Sequence, residues 1–401
     1  MIECIANTRK AEVQLLLYCA RTEINPAMAE SIQNLVQQQL DWEYLIKIAH
    51  QHGILPLFYH NLQKNCSNLV PSNVLSDLRS RSQEVACYNL SLARELLAIV
   101  KLCKSQQIPV LPYKGSVLAT LLYGNLTLRS SSDLDIVVLP TDFFKVKALL
   151  NKRGYQTVSA PTREDLQEIC YRSNYECPLI SKDSKIIVEL HPAFADPCLL
   201  FPLKLADILD ELNSVSILGT SLPCLQQETL LIVLCMHGCK DVWKQLKWIC
   251  DIAQLISLSP HLDWEKVWQR AEKLASRRRL FLGLLLANQL FDTPLPETVL
   301  QKINSDSKIQ VFAQSILQRL FTSDDFSVFD KVFLWFICDS LTDTVRQYFK
   351  YLGYLIRPNP RDLDLVYLPV WLYFLYYFIR PVRLIWQYGG DLIKVKIFHY
   401  F

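Results

Sequence analysis

The sequence predicts an α+β protein: a mixed β-sheet core with its own helices, flanked by N-terminal and C-terminal all-helical regions. Apolar residues recur at helical spacing from 10 to 106 and again from about 205 onward, while residues 107 to 192 alternate short β-branched runs with helical stretches. With 401 residues, 51% of them apolar and only 10 glycines, the chain can bury more than one large core. The periodicity divides it into an N-terminal helical region (1–106), an α/β core (107–204), a helical domain (205–355) and an aromatic and basic C-terminal segment (356–401).

The last helix of the first region is expected from Ser80 to Gln106. Residues 108 to 113 then read as an extended run, followed by the turn Lys114-Gly115-Ser116 and a helical stretch over 117 to 123. In the sequence from Ser131 to Leu139, the β-branched tail after Asp133-Leu134-Asp135 reads as a buried strand. Thr141-Asp142 opens a helix over Phe143 to Arg153, with Gly154 at its stop, and Lys185 to His191 is a further strand. One helix is predicted for Thr229 to Ile256, and the helical signal beyond it includes Trp264 to Leu290 and Phe326 to Tyr354. Neither internal repeats nor a low-complexity linker interrupt this order.

The chemistry concentrates in the α/β core. A strand places Asp133 and Asp135 on one face, because side chains at i and i+2 point the same way. Two carboxylates so close resist ionising together unless a cation shares them, and Mg²⁺ favours such oxygens together with phosphate. Gly115 lets backbone approach a phosphate, the amides of the following helix point at any anion there, and Ser116 adds a hydroxyl and Lys114 a charge. A bare Asp-x-Asp is also a common solvated strand edge, and a bare Lys-Gly-Ser a common strand-to-helix turn. Glu189, the single acid of an apolar strand, either joins the cationic site or faces solvent. Arg129 is either a fork for phosphate or the ion-pair partner of one of the two aspartates.

Within the predicted helix from Thr229, His237, Lys240, Lys244, Lys247 and Asp251 follow three- and four-residue steps and form one polar stripe. It is either a solvated face or, if the helix packs behind the catalytic strands, a source of nucleotide contacts through His237 and Lys240. Cys235 and Cys239 bracket His237, but steps of two on a helix diverge, so zinc is disfavoured.

The order Gly115-Ser116, Asp133-x-Asp135 and Glu189 resembles the nucleotidyltransferase fold of the DNA polymerase beta superfamily. More narrowly, residues 113 to 124, Arg129, Asp133-Leu134-Asp135 and Val188-Glu189-Leu190-His191-Pro192 resemble an uncharacterised bacterial nucleotidyltransferase-like family often found near polysaccharide, asparagine-synthetase-like or peptide-modification genes. Residues 52 to 62, 234 to 253 and 356 to 362 are similar to its further segments. The spacing from Gly115-Ser116 to Asp133 is longer than in compact members of the superfamily, and the third acid is Glu where Asp is common. The resemblance implies Mg²⁺ (or Mn²⁺) held by Asp133, Asp135 and Glu189 as catalytic residues, and a nucleoside triphosphate held by Lys114, Gly115, Ser116, Arg129, His237 and Lys240. A nucleoside monophosphate would pass to a hydroxyl or amine of a small-molecule, sugar or peptide/protein acceptor, with pyrophosphate released. The alternatives are a non-catalytic nucleotide-binding scaffold, a phosphotransferase using the same acids, and a membrane-associated interaction protein.

A net charge of +3 with no basic tail argues against a nucleic-acid partner. The N-terminus has no basic start with an apolar run and small-residue cleavage site, so a cytoplasmic chain with reduced thiols is expected. Residues 365 to 379 are uncharged and aromatic, closed by Arg380 and Arg383 and followed by Lys394 and Lys396. The run is short of the roughly 20 residues that span a bilayer. It suits either peripheral membrane contact through residues 365–383 or an aromatic helix docked on the helical domain.

Overall fold

A computed structural model describes residues 9–158, 177–183, 185–321 and 337–392. Its mixed five-stranded sheet comprises β1 (Val110–Pro112), β2 (Leu134–Val138), β3 (Gln156–Thr157), β4 (Cys177–Ile180) and β5 (Ile187–His191), in the order β1-β2-β5-β4-β3. The centre is the parallel pair β2 and β5, and the other neighbours are antiparallel. All five residues of β2 are buried, which is why its sequence is a near-continuous apolar run with a single acid. Asp133 lies just before β2 rather than in it, so the predicted strand face carries Asp135 alone. The helix Phe143–Lys152 follows β2 within one residue of expectation, and Gly154 (φ +99) turns the chain behind it.

Two cores result. One joins the sheet to the inner face of a 34-residue helix, Ser72–Ser105, which starts a turn and more before the predicted Ser80. The other unites the N-terminal helices with those after residue 194, so both ends of the chain pack into one helical body.

Two expectations beyond residue 205 are corrected. The stretch read as uniformly helical contains the hairpin β6 (Asn213–Ile217) and β7 (Thr220–Cys224), which packs on β1 and the helix Ser116–Tyr123. Its signals are alternating buried Val215, Ile217, Leu222 and Cys224 around the two-residue turn Leu218-Gly219, where both residues take positive φ. The helix expected from Thr229 to Ile256 is two, Gln227–Lys240 and Leu246–Leu258. The chain reverses where Val242 (φ 60) and Trp243 (φ 53) adopt left-handed backbone, and Trp243 folds under the first helix. Gly238 makes this fit: a Cβ there would lie 2.4 Å from the indole. Trp264 to Leu290, read as helical, comprises two helices, Trp264–Lys273 and Arg277–Phe291, which meet at Ala275 (φ 48). Of the helical signal from Phe326 to Tyr354, the helix Leu341–Leu355 is present, and residues 326–336 lie outside the described residues.

The C-terminal segment comprises a short helix Pro360–Leu365, a 3₁₀ stretch Val370–Leu375 and the helix Tyr376–Leu392. Among the described residues, no helix is long and apolar enough to cross a membrane.

Candidate metal and nucleotide site

Parallel pairing of β2 and β5 sets Asp135 opposite Glu189 and Val137 opposite His191. Glu189 and His191, at i and i+2, share a face, and the imidazole closes the group. Its Nε2 lies 3.1 Å from Asp135 Oδ1 and 3.5 Å from Glu189 Oε2. Ligand atoms of all three residues fall within 4.8 Å of one another, a spacing that fits a divalent cation. Lys114, arriving from the end of β1, puts its ammonium 2.8 Å from Asp135 Oδ1.

The cationic neighbours decide the charge of Asp135. Burial alone would raise its pKa, but Lys114 and the His191 hydrogen bond outweigh burial and hold the carboxyl well below the usual range. Lys114 is held above its ordinary value, since Asp135 overrides the cost of burying the ammonium. For Asp133 the balance goes the other way: burial, then repulsion from Asp135 and Glu189, outweighs Lys114 and a hydrogen bond with Ser132 and pushes it up to about 6. Asp133 stands outside the three-ligand group, although it is the residue most in need of a shared cation.

The turn before the helix Ser116–Tyr123 lies against the same loop. Gly115 (φ +54) is in a conformation that disfavours side chains, and a Cβ there would be 3.4 Å from the Asp133 carbonyl oxygen. Ser116 is buried at the first position of that helix, whose N-terminus faces the acids.

Arg129 takes the ion-pair alternative, but with Asp251 rather than Asp133 or Asp135. Its Nε and Nη2 donate to the Asp251 carboxylate at 2.8 and 2.7 Å, and the Tyr123 hydroxyl donates to the same carboxylate at 2.9 Å. Burial disfavours the guanidinium, but Asp251 more than offsets it and holds Arg129 above its ordinary value. Asp251 is on the inner face of Leu246–Leu258, which packs over Ser116–Tyr123. This explains the partner: the second helix, not the strand, meets the arginine.

The break at Val242 and Trp243 separates the predicted polar stripe. His237 sits at the end of the first helix with Nδ1 3.3 Å from Asp241 and its ring edge-on to Trp248. Burial and then the nearby Lys114 lower its pKa well below the ordinary value, so it is a neutral imidazole beside the acidic group. Lys240 is half-buried in the same last turn, and Lys244 is exposed in the break. Burial pushes the Cys235 thiol far up and Cys239 up to about 12, which keeps both protonated and unsuited to zinc.

Residues without an assigned role complete the site. Lys247 stands one turn before Asp251 on the same helix face. Burial, followed by the positive field of Arg129, lowers it to about 8. The loop His52-Gly53 fixes it in place: the Lys247 backbone N–H donates to the His52 carbonyl at 3.2 Å, and the Leu246 N–H donates to His52 Nδ1 at 3.2 Å. A Cβ on Gly53 would come within 2.6 Å of the Lys247 Cδ. Burial lowers His52 to about 4, so it remains the neutral acceptor that this contact needs. The i, i+2 relation of Glu189 and His191 was the available sequence signal for the imidazole; Lys247 was legible only as a member of the polar stripe, without a role of its own.

A mixed sheet that gathers two carboxylates and an imidazole on adjacent parallel strands, beside a glycine turn at a helix start, has the donor set of a metal-dependent transferase. The chain belongs to the uncharacterised nucleotidyltransferase family, whose family model matches residues 38–292. That span runs from the early helices through the helix ending at Phe291 and includes every residue of the site. No curated protein and no solved structure matches the chain.

Proposed function

We propose that the protein transfers a nucleoside monophosphate from a nucleoside triphosphate to a hydroxyl or amine of a small-molecule, sugar or peptide/protein acceptor, releasing pyrophosphate. The observation that carries this reading is the cross-strand pair Asp135 and Glu189, closed by His191 and lying beside the Gly115-Ser116 turn. Asp135, Glu189 and His191 would hold a divalent ion, with Asp133 joining once a cation relieves its repulsion. When bound, the ion would neutralise phosphate charge and polarise the α-phosphorus. An all-carboxylate set of Asp133, Asp135 and Glu189 suits Mg²⁺, and the imidazole makes Mn²⁺ a good substitute.

The remaining steps belong to the chain. Gly115 and the first amides of Ser116–Tyr123 cradle the terminal phosphates, and Ser116 donates a hydroxyl hydrogen bond. Lys114 and Lys247 balance the phosphate charge, and the neutral His237 ring orients the nucleotide or acceptor. The acceptor oxygen or nitrogen attacks the α-phosphorus, its proton passes to Glu189, and the bond to the β-phosphate bridging oxygen breaks, so pyrophosphate leaves with that electron pair. Arg129 acts through Asp251 by holding the loop that carries Asp133.

The test is incubation of the protein with Mg²⁺, α-labelled or γ-labelled ATP, CTP, GTP and UTP, and cell extract, beside the Asp135→Asn variant. Transfer of α-label by the wild type alone is the expected result. Transfer of γ-label would replace the reading by phosphoryl transfer. Nucleotide binding with no transfer to any extract fraction would favour a scaffold.

A further inference from the structure

The C-terminal segment exposes much of its apolar surface. Of the 20 exposed large apolar side chains among the described residues, 16 lie between Leu341 and Trp386. On the helix Leu341–Leu355 and the residue after it, exposed Leu341, Val345, Phe349, Leu352 and Ile356 follow helical spacing and form one stripe. A second runs from Trp371 and Phe374 through Phe378 and Val382 to Ile385 and Trp386, the last being 88% exposed. The polar groups are inside: Asp362 is fully buried, with Arg380 Nη1 at 2.9 Å and Arg383 closing its other oxygen at 2.5 Å. Arg380 Nε also donates to the Leu355 carbonyl at 2.9 Å, tying the two helices together. One face of the aromatic segment is thus left exposed, while Tyr376 on its other side is fully buried.

We propose that this face docks on the surface of an anionic lipid bilayer, lying in the interface rather than spanning it. Scattered exposed apolar residues are ordinary, but two amphipathic stripes held open by a buried ionic clasp are an interaction surface. Three features favour lipid over protein. Tryptophan and tyrosine (Trp371, Trp386, Tyr367) are prominent among the exposed side chains, and these rings suit the headgroup level. The charge is complementary: from residue 337 onward the sequence has eight Lys or Arg against five Asp and no Glu. The exposed charges of residues 337–386 are Arg346, Lys350 and Arg361 against Asp364. No described helix can span, and an apolar face beside excess cations is the pattern of helices that lie in the interface.

The experiment is flotation of the full chain with phosphatidylcholine vesicles, with and without phosphatidylglycerol. It is repeated with Phe349→Glu/Phe378→Glu, whose substitutions point into solvent and leave the Asp362 clasp alone. The chain should float with the anionic vesicles, and the variant should lose binding at least about tenfold while keeping the wild-type circular dichroism. Equal binding by the variant, or binding to neither vesicle, overturns the proposal. Equal flotation with neutral vesicles overturns its anionic part. A dimer in sedimentation that the same variant dissociates, without vesicle binding, assigns the face to a second copy instead.

Discussion

Two buried aspartates, Asp135 and Asp251, stand on either side of the helix Ser116–Tyr123, and they are completed in opposite ways. Asp251 receives two bonds from Arg129 and one from Tyr123 and is fully buried. Asp135 shares one oxygen between Lys114 and His191, next to a partly exposed Glu189 and an Asp133 pushed up to about 6. A buried charge saturated by fixed donors holds parts together; one left with excess negative charge nearby is poised to exchange its partners for a ligand. The first cluster assembles the loop and helices, and the second is where chemistry is proposed.

The largest expected effect separates them by function. Asp135→Asn should abolish α-label transfer, by more than about a thousandfold or about 4 kcal/mol, while circular dichroism stays native. Wild-type turnover by this variant would sink the catalytic assignment.

Next comes stability. Arg129→Met leaves the Asp251 carboxylate buried without its cation and should cost about 3 to 5 kcal/mol in urea unfolding. The double variant Arg129→Met/Asp251→Leu should recover much of that loss, and a fully additive double variant would show that the two residues do not act as a pair.

A smaller effect tests Lys247, whose ammonium burial and Arg129 hold below its ordinary value. Lys247→Met should raise the nucleotide KM about tenfold, about 1.4 kcal/mol, with kcat little changed, since the lysine binds phosphate in ground and transition states alike. Gly53→Ala should act in the same direction by displacing the Lys247 stem. An unchanged KM in both would remove Lys247 from the site.

The smallest effects are in pH dependence. kcat/KM should rise through about pH 6 as Asp133 ionises and fall above about pH 8 as Lys247 loses its proton. Folding raises Asp133 above its ordinary 3.8, so the fold binds a proton that the unfolded chain has released. Its stability contribution is therefore present at acid pH and lost as pH rises through about 6. Asp133→Asn should remove this dependence and stabilise the protein at neutral pH by about 1 kcal/mol. Thermal melts from pH 4 to 8 measure both; a flat wild-type profile would argue against the repulsion among the three acids.

The sequence by itself determined the α+β class, the strands β1, β2 and β5, the Gly115-Ser116 turn and the acids Asp135 and Glu189. These are local: a β-branched run with one acid, or a glycine before a helix, carries its meaning within a few residues. The tertiary structure decided that His191 closes the acidic group and that Arg129 belongs to Asp251. It likewise decided that His52 and Gly53 deliver Lys247. The helix break at Trp243 was hidden for the same reason, since it depends on an indole filling the space left by Gly238 five residues earlier. At the C-terminus the aromatic run was legible in the sequence, but its outward face was not. Which side of an amphipathic helix meets the protein is fixed by where its buried charge finds a partner, and Asp362 finds Arg380 and Arg383 18 and 21 residues away.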